Sequence, residues 1–263
     1  FDYLIACIQQ VERLQGQMLR YDDHETPGKA LLPSKTARAG KVFGFDGDGD
    51  PAIFEPGDSQ APLSFTAGGT GATTRALTDK AGDAVSVKDF GAAGDGLTDD
   101  FSAIRNALAA HDAVYLPSGT YIISGTVTLG ARKSLYGAGQ GSVLKCQSNA
   151  FNAIEIPGFQ SELRNLRIEG GDVAVKLFGK DSECTQNSVT DVIITGCNTG
   201  IQLDGYTNTA KPCYWNNFAR VLIEQPLVNG VHLTRSGAGD TPNANKFHCV
   251  RVYSKGAATS NAG

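Results

Sequence analysis

Asp204 and Glu224 each close a short apolar run, Ile201-Gln-Leu203 and Val221-Leu-Ile223. Two carboxyls are the smallest apparatus that hydrolyses a glycosidic bond: about 6.5–9.5 Å apart they serve an inverting route, and about 5–5.5 Å apart a retaining one. Asp204 and Glu224 are therefore the candidate acid and base. Their bland alternative is a pair of solvated turn carboxylates. His232 lies in a similar apolar run, Val231-His-Leu233, and is the type of base that elimination at a uronic acid needs. Nothing in the residues chooses between hydrolysis and elimination. Tyr206, Tyr214 and Trp215, the only tryptophan, fall in an insertion between Gly205 and Asn216. Loops on a rigid scaffold carry function, and aromatic faces pack on the apolar faces of sugar rings. These three and His232 are the candidate glycan contacts, with packing against a neighbouring chain as the rival role for the aromatic pair.

Such residues need a scaffold, and a repeat supplies it. Leu163-x-x-Leu166-x-Ile168, Val189-x-x-Val192-x-Ile194, Phe218-x-x-Val221-x-Ile223 and Phe247-x-x-Val250-x-Val252 follow one another at offsets of 26, 29 and 29 residues. An apolar-x-apolar step puts two side chains on one face of a strand, and a lone unit cannot bury them. A second run follows each of the first three: Val175-x-Leu177, Ile201-x-Leu203 and Val231-x-Leu233, the last two led by Gly200 and Gly230. Two or three strands per turn at this period predict an all-β fold, a parallel β-helix whose core is shared between rungs. A β-sandwich would pair its strands through hairpins every 8–12 residues, with no dominant longer period.

Stacking turns equivalent positions into columns about 4.8 Å apart. One column holds Glu169, Thr195, Glu224 and Tyr253, which sets Glu169 and Glu224 about 9–10 Å apart. Another holds Lys176, Gln202 and His232.

Composition removes several classes. With 263 residues, 41% of them hydrophobic, the chain can build a large core, and 32 glycines suit a fold with many turns. A net charge of −4 gives no basic footprint for nucleic acid, and no apolar run is long enough for membrane insertion. The six cysteines form no C-x-x-C pair and are expected as buried, reduced thiols, so no metal and no cofactor is expected.

Upstream of the repeat the text changes character. Phe1, Leu4, Ile8, Val11, Gln15 and Met18 follow a short heptad seam over an amino-terminal helix, residues 1–22, weakened by Gly16 at a cost of about 1 kcal/mol. Such a helix either trimerises or docks. Residues 23–76 read as a small β-rich domain of turn-linked strands, among them Lys41-Val-Phe-Gly-Phe45 and Pro51-Ala-Ile-Phe54. Asp46, Asp48 and Asp50 imitate a calcium loop, but Pro51 and Gly57 stand where its glycine and glutamate belong, so a turn is expected. Residues 77–84 are the end of a Gly- and Thr-rich linker. A helix at about 99–110 opens the last segment, 85–263, with Thr98 or Asp99 placed to accept its free amide hydrogens. Gly137-Ala-Gly139-Gln-Gly141 leads into a strand pattern, which excludes a dinucleotide loop.

Val87-Lys-Asp-Phe-Gly-Ala-Ala-Gly-Asp-Gly-Leu-Thr-Asp-Asp100, with Ile104 and then Tyr115-Leu-Pro-Ser-Gly-Thr-Tyr121, resembles the opening segment of the pectate-lyase-like β-helix superfamily. Its preface, Leu77-Thr-Asp-Lys80 through Val85-Ser-Val87, resembles the form found in bacteriophage tailspikes. Residues 41–51 more loosely resemble strands of tail-fibre heads. The resemblance covers about residues 77–252 and implies a right-handed parallel β-helix, a homotrimer, fixed to phage tail or baseplate proteins through residues 1–76. It implies a virion tail component, made in the host cytoplasm, that attaches to host surface polysaccharide, capsule or O-antigen, and depolymerises it. The motif contains no catalytic residues, so it carries fold further than activity. Because the chain starts at Phe1 and stops at Gly263 where another strand is due, it reads as an amino-terminal fragment. A structural anchor with binding and catalysis beyond residue 263, or a cellular polysaccharide hydrolase or lyase, are the alternatives.

Overall fold

The computed structural model describes residues 36, 39–45, 51–55, 64–205, 211–237 and 241–254. The heptad over 1–18, the Asp46–Asp50 turn, Cys7 and Tyr206 lie outside them. The chain divides into two compact units, 1–80 and 81–263.

In the first unit, β1 (Val42–Phe45) and β2 (Pro51–Phe54) pair antiparallel with Phe45 opposite Pro51, and β3 (Ser64–Thr66) pairs antiparallel with β4 (Thr74–Ala76). Thr66 and Thr74 hydroxyls meet across the second hairpin at 2.8 Å. The stretch read as linker holds the helix α1 (Leu77–Ala81), to which Arg75 is tied through Asp79 at 2.8 Å.

The second unit opens with β5 (Val85–Ser86) and a 3-10 turn over Val87–Phe90. Ser86 and Asp89 cap the turn reciprocally, and Gly91 ends it at φ 91°. After β6 (Asp95–Asp99), the helix α2 (Phe101–Ala110) buries Ile104, Ala107 and Leu108 against Val114 and Leu116 of the first rung. Asp99 accepts from the Phe101 amide at 3.1 Å, whereas Thr98 turns away to Asp95. The buried Asp100 fastens the preceding loop, accepting from Ala93 N at 2.7 Å and Gly94 N at 3.1 Å.

From here the chain winds through three parallel faces. Face A stacks β5, β7 (Ala113–Leu116), β10 (Ser134–Gly137), the first half of β13 (Glu162–Glu169), that of β16 (Ser188–Thr195), β19 (Asn217–Ala219) and β22 (Lys246–His248). Face B stacks β6, β8 (Gly119–Ile123), β11 (Ser142–Cys146), the second halves of β13 and β16, β20 (Leu222–Glu224) and β23 (Arg251–Tyr253). Face C stacks β9 (Val127–Thr128), β12 (Ile154–Ile156), β14 (Val173–Phe178), β17 (Thr199–Asp204) and β21 (Asn229–Thr234). Two short strands, β15 (Cys184–Thr185) and β18 (Cys213–Tyr214), pair beyond face C. The chain is thus a parallel β-helix, as the repeat predicts.

Register explains the repeat. Leu163, Val189, Phe218 and Phe247 align on face A, and Ile168, Ile194, Ile223 and Val252 align on face B. The x-x between the first two apolar residues would break a period of two, were the second x not left-handed. Asn165, Asp191, Arg220 and Cys249 stand there at φ 57°, 55°, 54° and 54°, turning the strand so that both apolar neighbours face inward. The exposed Arg220 clasps both oxygens of Asp191 at 2.6 and 2.7 Å, which holds that carboxyl below its ordinary value. Each buried aliphatic residue of the core contributes about 1.5–3 kcal/mol, which no single rung could collect alone.

A polar ladder runs inside this core. Asn187 Nδ2 donates to Asn216 Oδ1 and Asn216 Nδ2 to Asn245 Oδ1, both at 2.9 Å, and each carbonyl oxygen also accepts the backbone N–H of the rung below. Four cysteines, Cys146, Cys184, Cys197 and Cys213, are free and buried as expected. Burial pushes the Cys146 thiol up to about 12 and Cys197 to about 11, so neither is a ready nucleophile. Cys249 departs from the expectation and is exposed, because it occupies the left-handed corner rather than an inward column.

Candidate functional site

On face C, side chains alternate between core and surface. Ile154, Val175, Ile201 and Val231 point inward, so Glu155, Lys176, Gln202 and His232 form an outward column, one per rung. Gln202 Nε2 lies 3.4 Å from His232 Nδ1, and His232 is half-buried. The next outward column is Phe178, Asp204 and Thr234. Lys176 Nζ sits 5.3 Å over the Phe178 ring and 3.7 Å from Asp204 Oδ2.

Asp204 is neither solvated nor free for chemistry. It is 1% exposed, and its two oxygens accept from the backbone amide and the hydroxyl of Ser236. It works as a clasp that ties the segment after β21 onto face C. Asp204→Ala is expected to remove the two charge-assisted hydrogen bonds that hold Ser236 and to lower stability by about 1–3 kcal/mol, measured as a drop in the urea midpoint of the whole chain.

Glu224 lies elsewhere. It ends a strand of face B, in the outward column Glu169, Thr195, Glu224, Tyr253. Thr195, its partner one rung down, precedes β17, and Asp204 ends β17 five residues after Thr199. At about 3.3 Å per residue the two carboxylates are separated by about 16 Å of strand, beyond either glycosidase geometry. The fold does not bring Asp204 and Glu224 together. Glu169, two strand spacings from Glu224, is about 9–10 Å away and has Arg167 Nη1 at 3.9 Å.

The aromatic pair is brought together. Tyr214 and Trp215 make an edge-to-face contact at 4.6 Å and 77° on the corner that follows face C. Tyr214 donates its hydroxyl to Glu183 Oε2 at 3.2 Å; desolvation and then this carboxylate hold the phenol above its ordinary value. Trp215 is 60% exposed and left-handed at φ 56°. Glu183, Ser236 and the asparagine ladder were not singled out from the sequence. The ladder had a legible signal: Ser161, Asn187, Asn216 and Asn245 each stand two residues before the first apolar residue of a repeat. Among the described residues no group of three or more His, Cys, Asp or Glu is placed to hold a metal ion, and no helix is long and apolar enough to cross a membrane.

Residues 84–156 match the family described as rhamnogalacturonase A/epimerase, pectate lyase-like. The tail spike protein of Shigella phage Sf6 is 30% identical over 118 residues, which are 38% of this chain and 19% of that protein. Mannuronan C5-epimerase AlgE6 of Azotobacter vinelandii is 46% identical over 179 residues, 62% of this chain and 18% of that protein. Tailspike protein 3 of bacteriophage CBA120 superposes with a TM-score of 0.54 at 19% identity, covering 78% of this chain and 36% of that one. The chain therefore spans about a fifth of the length of these two curated relatives and shares the fold of the CBA120 tailspike. Fold and matches together fit a phage tailspike β-helix.

Proposed function

We propose that this chain belongs to a phage tailspike, a virion tail component whose β-helix attaches to host surface polysaccharide. The observation that carries this reading is the parallel β-helix that follows the motif of residues 87–100, and the match to the Sf6 tail spike protein supports it. Residues 1–76 would hold phage tail or baseplate proteins, three copies would assemble, and the β-helix would begin at residue 85. His232 on face C and Tyr214 and Trp215 on the adjoining corner would touch the glycan. The separation of Asp204 from Glu224 favours binding over cleavage by that pair.

A second reading is an enzyme acting on an acidic polysaccharide. The 46% identity to a mannuronan epimerase favours it, and Lys176 and His232 share the outer column of face C. A cation for the uronate carboxylate and a base for the adjacent carbon are what elimination or epimerisation requires.

One set of measurements separates them. The chain is passed over immobilised, purified capsule and O-antigen polysaccharides, and its mass is taken by light scattering at micromolar concentration. Retention on a polysaccharide by a particle of three times the chain mass is expected. A monomer that retains none of them refutes the tailspike reading. New reducing ends or unsaturated uronate in the eluate, lost in His232→Ala, would establish the enzyme instead.

A further inference from the structure

At the corner between faces C and A, below the exposed Ala244 at φ 51°, four further exposed residues stand in the same column: Arg132, Gln160, Gln186 and Trp215, with φ of 60°, 56°, 56° and 56°. Their side chains form a polarised rail. Arg132 Nε donates to Gln160 Oε1 at 3.4 Å, and Gln160 Nε2 donates to Gln186 Oε1 at 3.0 Å. Each donor points up the stack toward Trp215. The Gln186 amide NH2 that ends the rail has no partner among the described residues, and it lies one rung below the indole, since Ser188 pairs with Asn217. Arg132 packs its guanidinium over the Phe159 ring at 5.1 Å, and the residue is exposed.

The indole is equally unused. An edge-to-face contact with Tyr214 covers at most one face of Trp215, and the side chain stays 60% exposed. Bulky residues rarely take a left-handed backbone, yet the fold holds the indole there, at the head of a row of amide donors.

We infer that this ridge is a binding site for a polysaccharide strand lying parallel to the β-helix axis, an assignment that rests on the proposed polysaccharide attachment. The apolar face of one sugar ring packs on Trp215. Its hydroxyl accepts from the free Gln186 amide, and the strand continues past Gln160 to Arg132, which takes a carboxylate or another anionic substituent. Three strand spacings separate Arg132 from Trp215, about 14 Å, the reach of a short oligosaccharide segment. Aromatic and amide groups suit a ligand that is apolar on the ring face and polar at the rim.

Because the chain has a single tryptophan, its emission reports on this ridge alone. The full chain is screened against immobilised, purified capsule and O-antigen polysaccharides and alginate, and the retained glycan is then titrated in solution. The expected result is a shift of the tryptophan emission to shorter wavelength on saturation. Affinity should fall about fivefold in Gln186→Ala and tenfold or more in Trp215→Ala, with unchanged circular dichroism. Arg132→Gln should weaken an acidic glycan and spare a neutral one. Retention with unchanged emission and undiminished affinity in both alanine variants overturns the ridge while leaving polysaccharide attachment intact. Failure to retain any glycan overturns both. An emission shift that follows protein concentration alone would mean that a second copy covers the ridge, and that also overturns the assignment.

Discussion

Asn216→Leu is expected to destabilise the β-helix by roughly 3–5 kcal/mol, the summed cost of leaving several buried polar groups unmatched. Asn216 is 1% exposed and works in both directions along the stack. Its Oδ1 accepts from the backbone and side-chain nitrogens of Asn187, and its Nδ2 donates to Cys184 O at 3.0 Å and to Asn245 Oδ1. Leucine fills the same volume and answers none of these groups. Asn187 would keep a buried N–H and Cys184 a buried carbonyl without partners, and Asn245 Oδ1 would retain only the backbone N–H of residue 216. In a stack where each rung touches only its neighbours, the loss falls on the interface between the rungs of β16, β19 and β22. Urea unfolding should show a lower midpoint, and proteolysis should reach the rungs above Asn187 before those below. The neighbouring Asn217→Ala, which removes no side-chain bond of the ladder, should stay within about 0.5 kcal/mol of the parent. Equal midpoints for the two variants would show that the ladder carries no stability.

The sequence disclosed the stacking because the apolar triplets keep their offsets, and the register places Leu163 on Val189 and Ile168 on Ile194 as the period requires. It also placed Glu169, Thr195, Glu224 and Tyr253 in one column, since a column depends only on counting residues along the repeat. Pairing Asp204 with Glu224 asked for more. Those residues sit on different faces, C and B, and the chain turns between these faces at left-handed corners such as Gly196 and Gln225, where a residue type says that the chain bends but not through what angle. A column can be read from sequence; a distance across a corner cannot. Asp204 was opaque for a second reason. Its burial depends on Ser236, 32 residues later, and nothing local marks that encounter. The asparagine ladder was readable from the repeat, but asparagine before a strand looks like ordinary turn chemistry until its column is traced.

Gly200→Val is expected to cost roughly 3 kcal/mol by overpacking the junction of faces B and C. A Cβ built on Gly200 would meet Ile223 Cγ2 and Gly230 O at 2.7 Å and Ile223 Cδ1 at 2.9 Å, all closer than real contacts allow. The position belongs to a column of small residues, Ala153, Ala174, Gly200 and Gly230, each just before the first inward residue of a face C strand. Ala174 accommodates its methyl group in full burial, whereas the Ile223 side chain has moved into the space that Gly200 leaves. Glycine is therefore required at this site by the facing side chain rather than by backbone conformation. A double-mutant cycle separates the two causes. Ile223→Ala alone should cost about 2–5 kcal/mol for the cavity it opens, and Gly200→Val in that background should cost clearly less than in the parent, because the new side chain enters the vacated volume. The Gly230 carbonyl stays in place, so some penalty should persist. Strictly additive unfolding free energies would mean that Gly200 and Ile223 do not share space, and the close packing of face B against face C would have to be redrawn.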